Sequence, residues 1–212
     1  MKIQALVVEE KDAPFKQQEI ELGEPGRGEA LVRIVASGVC HTDVITRAGD
    51  MGMPFPCVLG HEGAGIVERV GEGVTQVAPG DKVIIGWPWC GECRNCLDGQ
   101  PRYCLRTGEA LVSGRRFKGE LKGESAYSRN GKPLNGHFFG QSSFATHSIT
   151  SADALVKVAG DVPIELLGPL ACDGFPGASG AVLAACYHCL AIGREDGLPY
   201  YIFVVDKSVN QA

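Results

Sequence analysis

The chain has 212 residues, 44% hydrophobic and 21% charged, enough for one large domain or two small ones with a packed core. The formal net charge of −5 and the lack of any Lys/Arg run speak against a nucleic-acid partner. No apolar run approaches the roughly 18 residues of a membrane-spanning helix, and "MKIQALVVEEKDAPF" has no apolar leader, so a cytoplasmic protein without membrane contact is expected.

Gly 29 and Pro 12 predict many turns and short strands. "IQALVVEE" and "EALVRIVASGVC" read as strands, rich in β-branched and apolar residues. "GAGIVERVGEGVTQVAPGDKVII" reads as a meander, with turns at Gly71-Glu72-Gly73 and Pro79-Gly80-Asp81. Residues 90–136 have weak periodicity and read mostly as a long loop or lobe. Strand signals return at "SSFATHSIT" and "ALVKV". "PIELLGPLAC" suits a short helix from Pro163, broken into turns by Pro169. To about residue 160 the expectation is a mainly β, barrel-like domain carrying a loop lobe.

Nine cysteines in a reducing compartment point to metal or burial rather than to disulfides. Cys90, Cys93, Cys96 and Cys104 follow C-x2-C-x2-C-x7-C in a polar segment with too few apolar residues to fold alone. Four thiolates suit tetrahedral zinc and leave no open position, so such a site is structural. An iron–sulfur cluster uses similar spacing, but a ferredoxin-like run ends Cys-Pro, and Leu105 follows Cys104. Cys57 reads as core.

"GVCHTD" and "GHEGAG" each place one metal-binding side chain beside a carboxylate, Cys40 with Asp43 and His61 with Glu62. A catalytic zinc takes three protein ligands and keeps one place open, and Cys₂His is one such set. Cys172, ending an apolar segment, is the best candidate for the third. On spacing alone, a buried cysteine packed as a small hydrophobe and a satisfied core histidine remain open alternatives.

Taken together, "GVCHTD … PFPCVLGHEGAGIVERVGEGVTQVAPGDKV … CGECRNC … C" resembles the zinc-dependent alcohol dehydrogenases of the medium-chain dehydrogenase/reductase superfamily, and "GHFFGQSSFATHSI" resembles their aryl-alcohol (benzyl-alcohol) branch. The resemblance covers residues 1–172. It implies a GroES-like β-barrel catalytic domain with a zinc lobe at about 88–110, two zinc ions per chain, and a Rossmann domain binding NAD(P). It implies Cys40, His61 and Cys172 on a catalytic zinc and Cys90, Cys93, Cys96 and Cys104 on a structural one. It further implies that Thr42 takes the alcohol proton, that His41 lies near the cofactor pyrophosphate, that Asp43 fixes the His61 ring, and that Glu62 sits behind the metal. A small alcohol or aldehyde is the implied substrate, and the family is homo-oligomeric. Many members carry a relay histidine where this chain has Ile45, which cannot carry a proton.

Beyond Cys172 the resemblance fades. "GASGAVLAACYHCLAI" reads as an apolar helix and "YYIFVV" as a strand followed by Asp206-Lys207-Ser208, not by a glycine loop. Pro176 stands where the family has a threonine near the nicotinamide. Cys186, His188 and Cys189 read as packing. Residues 173–212 are therefore expected to be a divergent helix–strand tail, with the Rossmann domain essentially absent. Such a tail exposes apolar surface unless it folds back or self-associates. Two other functions stay open: a zinc-binding GroES-like fragment without turnover, and a thiol redox or metal-sensing protein.

Overall fold

The computed structural model describes residues 1–158 and 161–172 and the backbone of the strand Tyr201–Val204. In chain order the strands are β1 (Lys2–Val8), β2 (Lys16–Leu22), β3 (Glu29–Val39), β4 (Cys57–Val58), β5 (Gly63–Val70), β6 (Lys82–Ile85), β7 (Tyr127–Arg129), β8 (Lys132–Pro133), β9 (His147–Ser151), β10 (Leu155–Lys157) and β11 (Tyr201–Val204). The α-helices are short: α1 (His41–Arg47), α2 (Arg94–Leu97) and α3 (Thr107–Val112).

The strands form two sheets, in the orders β4-β1-β2-β7-β8 and β10-β6-β5-β3-β11, and every pairing between them is antiparallel. The mainly β architecture expected from the sequence is what the chain adopts. β1 alternates, burying Ile3, Ala5 and Val7. The 11-residue β3 is almost continuously apolar, because it is buried on both faces. One edge of β3 pairs with β5; the other is shared, residues 29–33 with β9 and residues 36–39 with β11.

Three apolar clusters hold the sheets. The largest joins Ile3, Val7, Leu22, Leu59, Tyr127, Phe138 and Phe144, with Cys57 in it as expected. A second fills the space between β3, β5 and β6 with Val32, Ile34, Val67, Val83 and Ile85. Each fully buried side chain of this kind contributes about 1.5–3 kcal/mol. In the third, Ile164, Leu167 and Ala171 pack on Val35 and Ala64, which docks the segment ending at Cys172 against β3 and β5. That segment is two 3₁₀ turns, Ile164–Leu166 and Gly168–Ala171, as the interruption at Pro169 predicts.

Two elements depart from the sequence reading. β2 lies in "KQQEIEL", where only Ile20 and Leu22 point inward, so its polar face hid it. Residues 90–136 are more ordered than a loop. They hold α2, α3 and the β7–β8 hairpin, which extends the first sheet through β2. The expected strand near 201 forms and pairs with β3 at the edge of the second sheet. The expected tail helix, Pro176, Cys186, His188 and Cys189 lie outside the described residues.

Candidate metal centres

β3 ends at Val39, and Cys40 is the N-cap of α1. Asp43, in the first turn of that helix, is fully buried and ties two stretches of backbone and an imidazole together. Its Oδ2 accepts the Cys40 N–H at 3.0 Å, its Oδ1 accepts the Gly60 N–H at 3.0 Å, and Oδ1 lies 3.2 Å from His61 Nδ1. Gly60 sits at φ +91°, and a Cβ there would fall 2.4 Å from the Phe144 nitrogen, so only glycine lets the chain turn into His61 at this point.

With Nδ1 held by Asp43, His61 points Nε2 at the sulfurs. Nε2 is buried and makes no hydrogen bond of normal geometry. Cys40 Sγ, His61, Glu62 and Cys172 place four ligand atoms within 4.8 Å of one another. The residues singled out in sequence as Cys40, His61 and Cys172 are thus brought together from β3, the turn before β5 and the 168–171 turn. Glu62 joins them. It is fully buried, and its carboxylate lies against Gly38, where a Cβ would stand 1.9 Å from Oε2.

Without a metal this cluster stores charge. Close approach of Cys172 and then His61 brings the Cys40 thiol down to about 3. Burial works against a charged His61, but Asp43 and Cys40 outweigh it and hold the ring up to about 10. Both shifts favour a thiolate close to the ring, and a bound cation would take the place of the Nε2 proton. Two sulfurs, an imidazole and a carboxylate are donors that suit a borderline divalent ion such as zinc.

Around this cluster the remaining expected residues fall in order. Thr42 Oγ1 is 3.5 Å from Cys40 Sγ. His41 is exposed at the first position of α1, and Ile45 is half-buried one turn further on. Sequence reasoning missed an aromatic wall. The Phe139 ring lies 4.5 Å from His61 and Phe138 5.5 Å from it, and Trp87 meets Phe139 edge-on at 5.3 Å. Trp87 is 42% exposed while Phe138 and Phe139 are buried, so Trp87 is the ring of this group that reaches the surface. The segment that carries it is bent sharply: His137, Phe139, Gly140 and Ser142 all have positive φ.

The second centre lies in the lobe. Cys90–Cys96, Cys93–Cys96 and Cys90–Cys104 sulfurs stand 3.8, 3.5 and 3.5 Å apart, far beyond a disulfide bond. A tetrahedron of thiolates around zinc at ~2.3 Å has edges of ~3.8 Å, so the spacing fits. Backbone N–H groups point at the sulfurs, Cys93 to Cys90 at 3.3 Å and Leu105 to Cys93 at 3.4 Å. The Leu105 N–H, then that of Cys96, bring Cys93 down to about 6. The lobe has a small core of its own, Ala110 and Phe117 with Trp89 and the cysteines. A cavity of about 250 Å³, lined by Arg27, Glu29, Arg116, Phe117 and Thr150, includes none of these ligand candidates.

Residues 26–160 match the family model for the alcohol dehydrogenase GroES-like domain. A geraniol dehydrogenase from Castellaniella defragrans is 41% identical over 198 residues, 93% of this chain and 51% of its own length. The alcohol dehydrogenase zinc-binding domain protein of Burkholderia ambifaria superposes with a TM-score of 0.76 at 40% identity, over 81% of this chain and 46% of that one. Benzyl alcohol dehydrogenase from Acinetobacter calcoaceticus gives 0.74 at 42%, over 81% and 45%. The chain spans about half the length of the curated relatives it matches. With its two curled antiparallel sheets and its paired clusters of metal-binding side chains, the chain belongs to the alcohol dehydrogenase GroES-like domain family.

Proposed function

We propose that residues 1–172 are the catalytic domain of a zinc-dependent alcohol dehydrogenase that oxidises primary aryl alcohols to aldehydes with NAD(P), and that residues 173–212 form a divergent tail. The observation that carries this is the convergence of Cys40, His61, Glu62 and Cys172 around the anchor Asp43. Cys40, His61 and Cys172 would hold the catalytic zinc, with Glu62 behind it; Cys90, Cys93, Cys96 and Cys104 would hold a second, structural one. Bound at the first site, the ion would supply Lewis acidity toward an alcohol oxygen, and a bound nicotinamide would supply the hydride acceptor.

The chain's own residues do the rest. Asp43 keeps the proton on His61 Nδ1, leaving Nε2 as the donor atom. Thr42, beside Cys40, receives the alcohol proton on Oγ1. Because Ile45 has no group to pass it on, the proton leaves Thr42 through water or the cofactor ribose. His41, exposed at the head of α1, meets the cofactor pyrophosphate. Trp87, exposed and backed by the buried Phe139, offers a ring that favours an aromatic substrate, in keeping with the name of the benzyl alcohol dehydrogenase neighbour. No helix among the described residues is long and apolar enough to cross a membrane, which supports a cytoplasmic enzyme. Assembly into a homo-oligomer completes the reading.

The half-length match favours a second reading, a zinc-binding domain that does not turn over by itself. Zinc content, NADH titration and benzyl alcohol oxidation on the zinc-loaded chain separate the two. Two zinc per chain with saturable NADH binding and NADH formation upholds the enzyme. Two zinc without NADH binding upholds the second reading. A chain whose zinc content is unchanged in Cys40→Ser sinks both.

A further inference from the structure

We propose that Gln141 is a positioning residue that sets the geometry of the His61–Glu62–Gly63 turn, and thereby the metal affinity of the Cys40–His61–Cys172 site. The inference rests on reading that cluster as a metal site. Gln141 is fully buried, yet it lies in a strand-free, tightly bent segment where a polar side chain has no packing reason to be.

Its amide makes three hydrogen bonds to backbone. Nε2 donates to the His61 carbonyl at 2.9 Å and to the Ile85 carbonyl at 3.0 Å, and Oε1 accepts the Gly63 N–H at 2.9 Å. The residues on both sides of Glu62 are therefore strapped to the last residue of β6. Only one amide orientation works, since a flip would set NH₂ against N–H and oxygen against two carbonyls. The approach also requires Gly63, where a Cβ would come 2.7 Å from Oε1.

Gln141 is itself anchored. Its carbonyl accepts Tyr127 Oη at 2.9 Å and also the Ser148 hydroxyl. A fully satisfied buried polar network rigidifies what it touches. Here it touches the main chain of His61 and the flanks of Glu62. Asp43 fixes the His61 ring from one side, and Gln141 fixes its backbone from the other. Neither residue reaches the ligand atoms themselves.

The test is zinc affinity, read by competition with a chromophoric chelator on the full chain. The wild type is expected to show two classes of zinc, one lost in Cys93→Ser and the other in Cys40→Ser. Gln141→Met, which keeps volume and removes all three bonds, is expected to weaken the Cys40 class by about 10–100-fold and leave the lobe class unchanged. Tyr127→Phe, which loosens only the anchor, is expected to weaken the same class by about two- to tenfold. It decides the matter if Gln141→Met does not fold. Unchanged affinity of the Cys40 class in the variants overturns the inference, and so does equal weakening of both classes, the mark of general destabilisation. If Cys40→Ser removes no class from the wild type, the metal reading itself has failed, and the inference falls with it.

Discussion

Asp43 Oδ1 stands 3.2 Å from His61 Nδ1 with both side chains fully buried, while the other oxygen of the same carboxylate holds the Cys40 N–H. One side chain thus orients two candidate ligands that are 21 residues apart in sequence. Asp43→Asn turns one of its acceptors into a donor and sets it against an N–H. The expected result is a 10–100-fold loss of zinc affinity at this site with the lobe zinc retained, read by chelator competition.

Gly38 and Glu62 are packed without room for a methyl group. Gly38→Ala would put carbon 1.9 Å from Glu62 Oε2, so the buried carboxylate must move. A loss of about 1–3 kcal/mol in unfolding free energy is expected, the usual cost of overpacking. Cobalt substituted at the site should show a changed visible spectrum. An unaltered spectrum with unaltered stability would contradict the packing described for these two residues.

His137 makes stability depend on pH. It is buried, and its Nε2 accepts the Ala126 N–H at 3.1 Å, which requires a neutral ring. Burial first, and the nearby Arg116 second, push it down to about 3 from 6.5. Between those values the unfolded chain holds a proton that the folded chain refuses, so stability rises with pH there. The contribution is complete above pH 6.5 and is lost as pH falls toward 3, by up to ~1.4 kcal/mol per pH unit. Urea midpoints from pH 7 to pH 5 should fall more steeply for the wild type than for His137→Gln. Parallel slopes would refute this.

Trp87 tests the aromatic wall. Trp87→Ala removes the outermost ring and should raise KM for benzyl alcohol by about two- to tenfold, the worth of one aromatic pair, with a smaller effect on a short aliphatic alcohol. Equal changes for both substrates would show that the wall does not select aromatics.

Much of the architecture was legible because β1, β3, β5 and β6 carry apolar or alternating patterns, and pattern follows burial. The candidate metal centres stood out in the sequence for a different reason. Cys40, His61 and the lobe cysteines are uncommon residues at telling spacings, so chemistry stands in for periodicity. What stayed hidden depends on contacts far apart in sequence. β2 is polar at Lys16, Gln17, Gln18 and Glu19 and is fixed by pairing with β1. α1 begins on Cys40, not a preferred cap, and carries β-branched Thr42, Val44, Ile45 and Thr46, poor helix formers. Gln141 reads locally as one more polar residue near a turn. Its three bonds reach residues 56 to 80 positions away.

The bent segment around Gln141 ties stability to the site. His137, Phe139 and Ser142 occupy left-handed backbone without being glycine, at about 1–2 kcal/mol apiece. The side chains repay that strain. Phe139 is buried in the main core, where truncating a ring costs about 3–5 kcal/mol, and the buried Ser142 hydroxyl accepts the Phe138 N–H and donates to the Val58 carbonyl. A library selected for heat resistance should therefore keep both residues, so laboratory evolution toward a sturdier protein leaves the ring beside His61 in place.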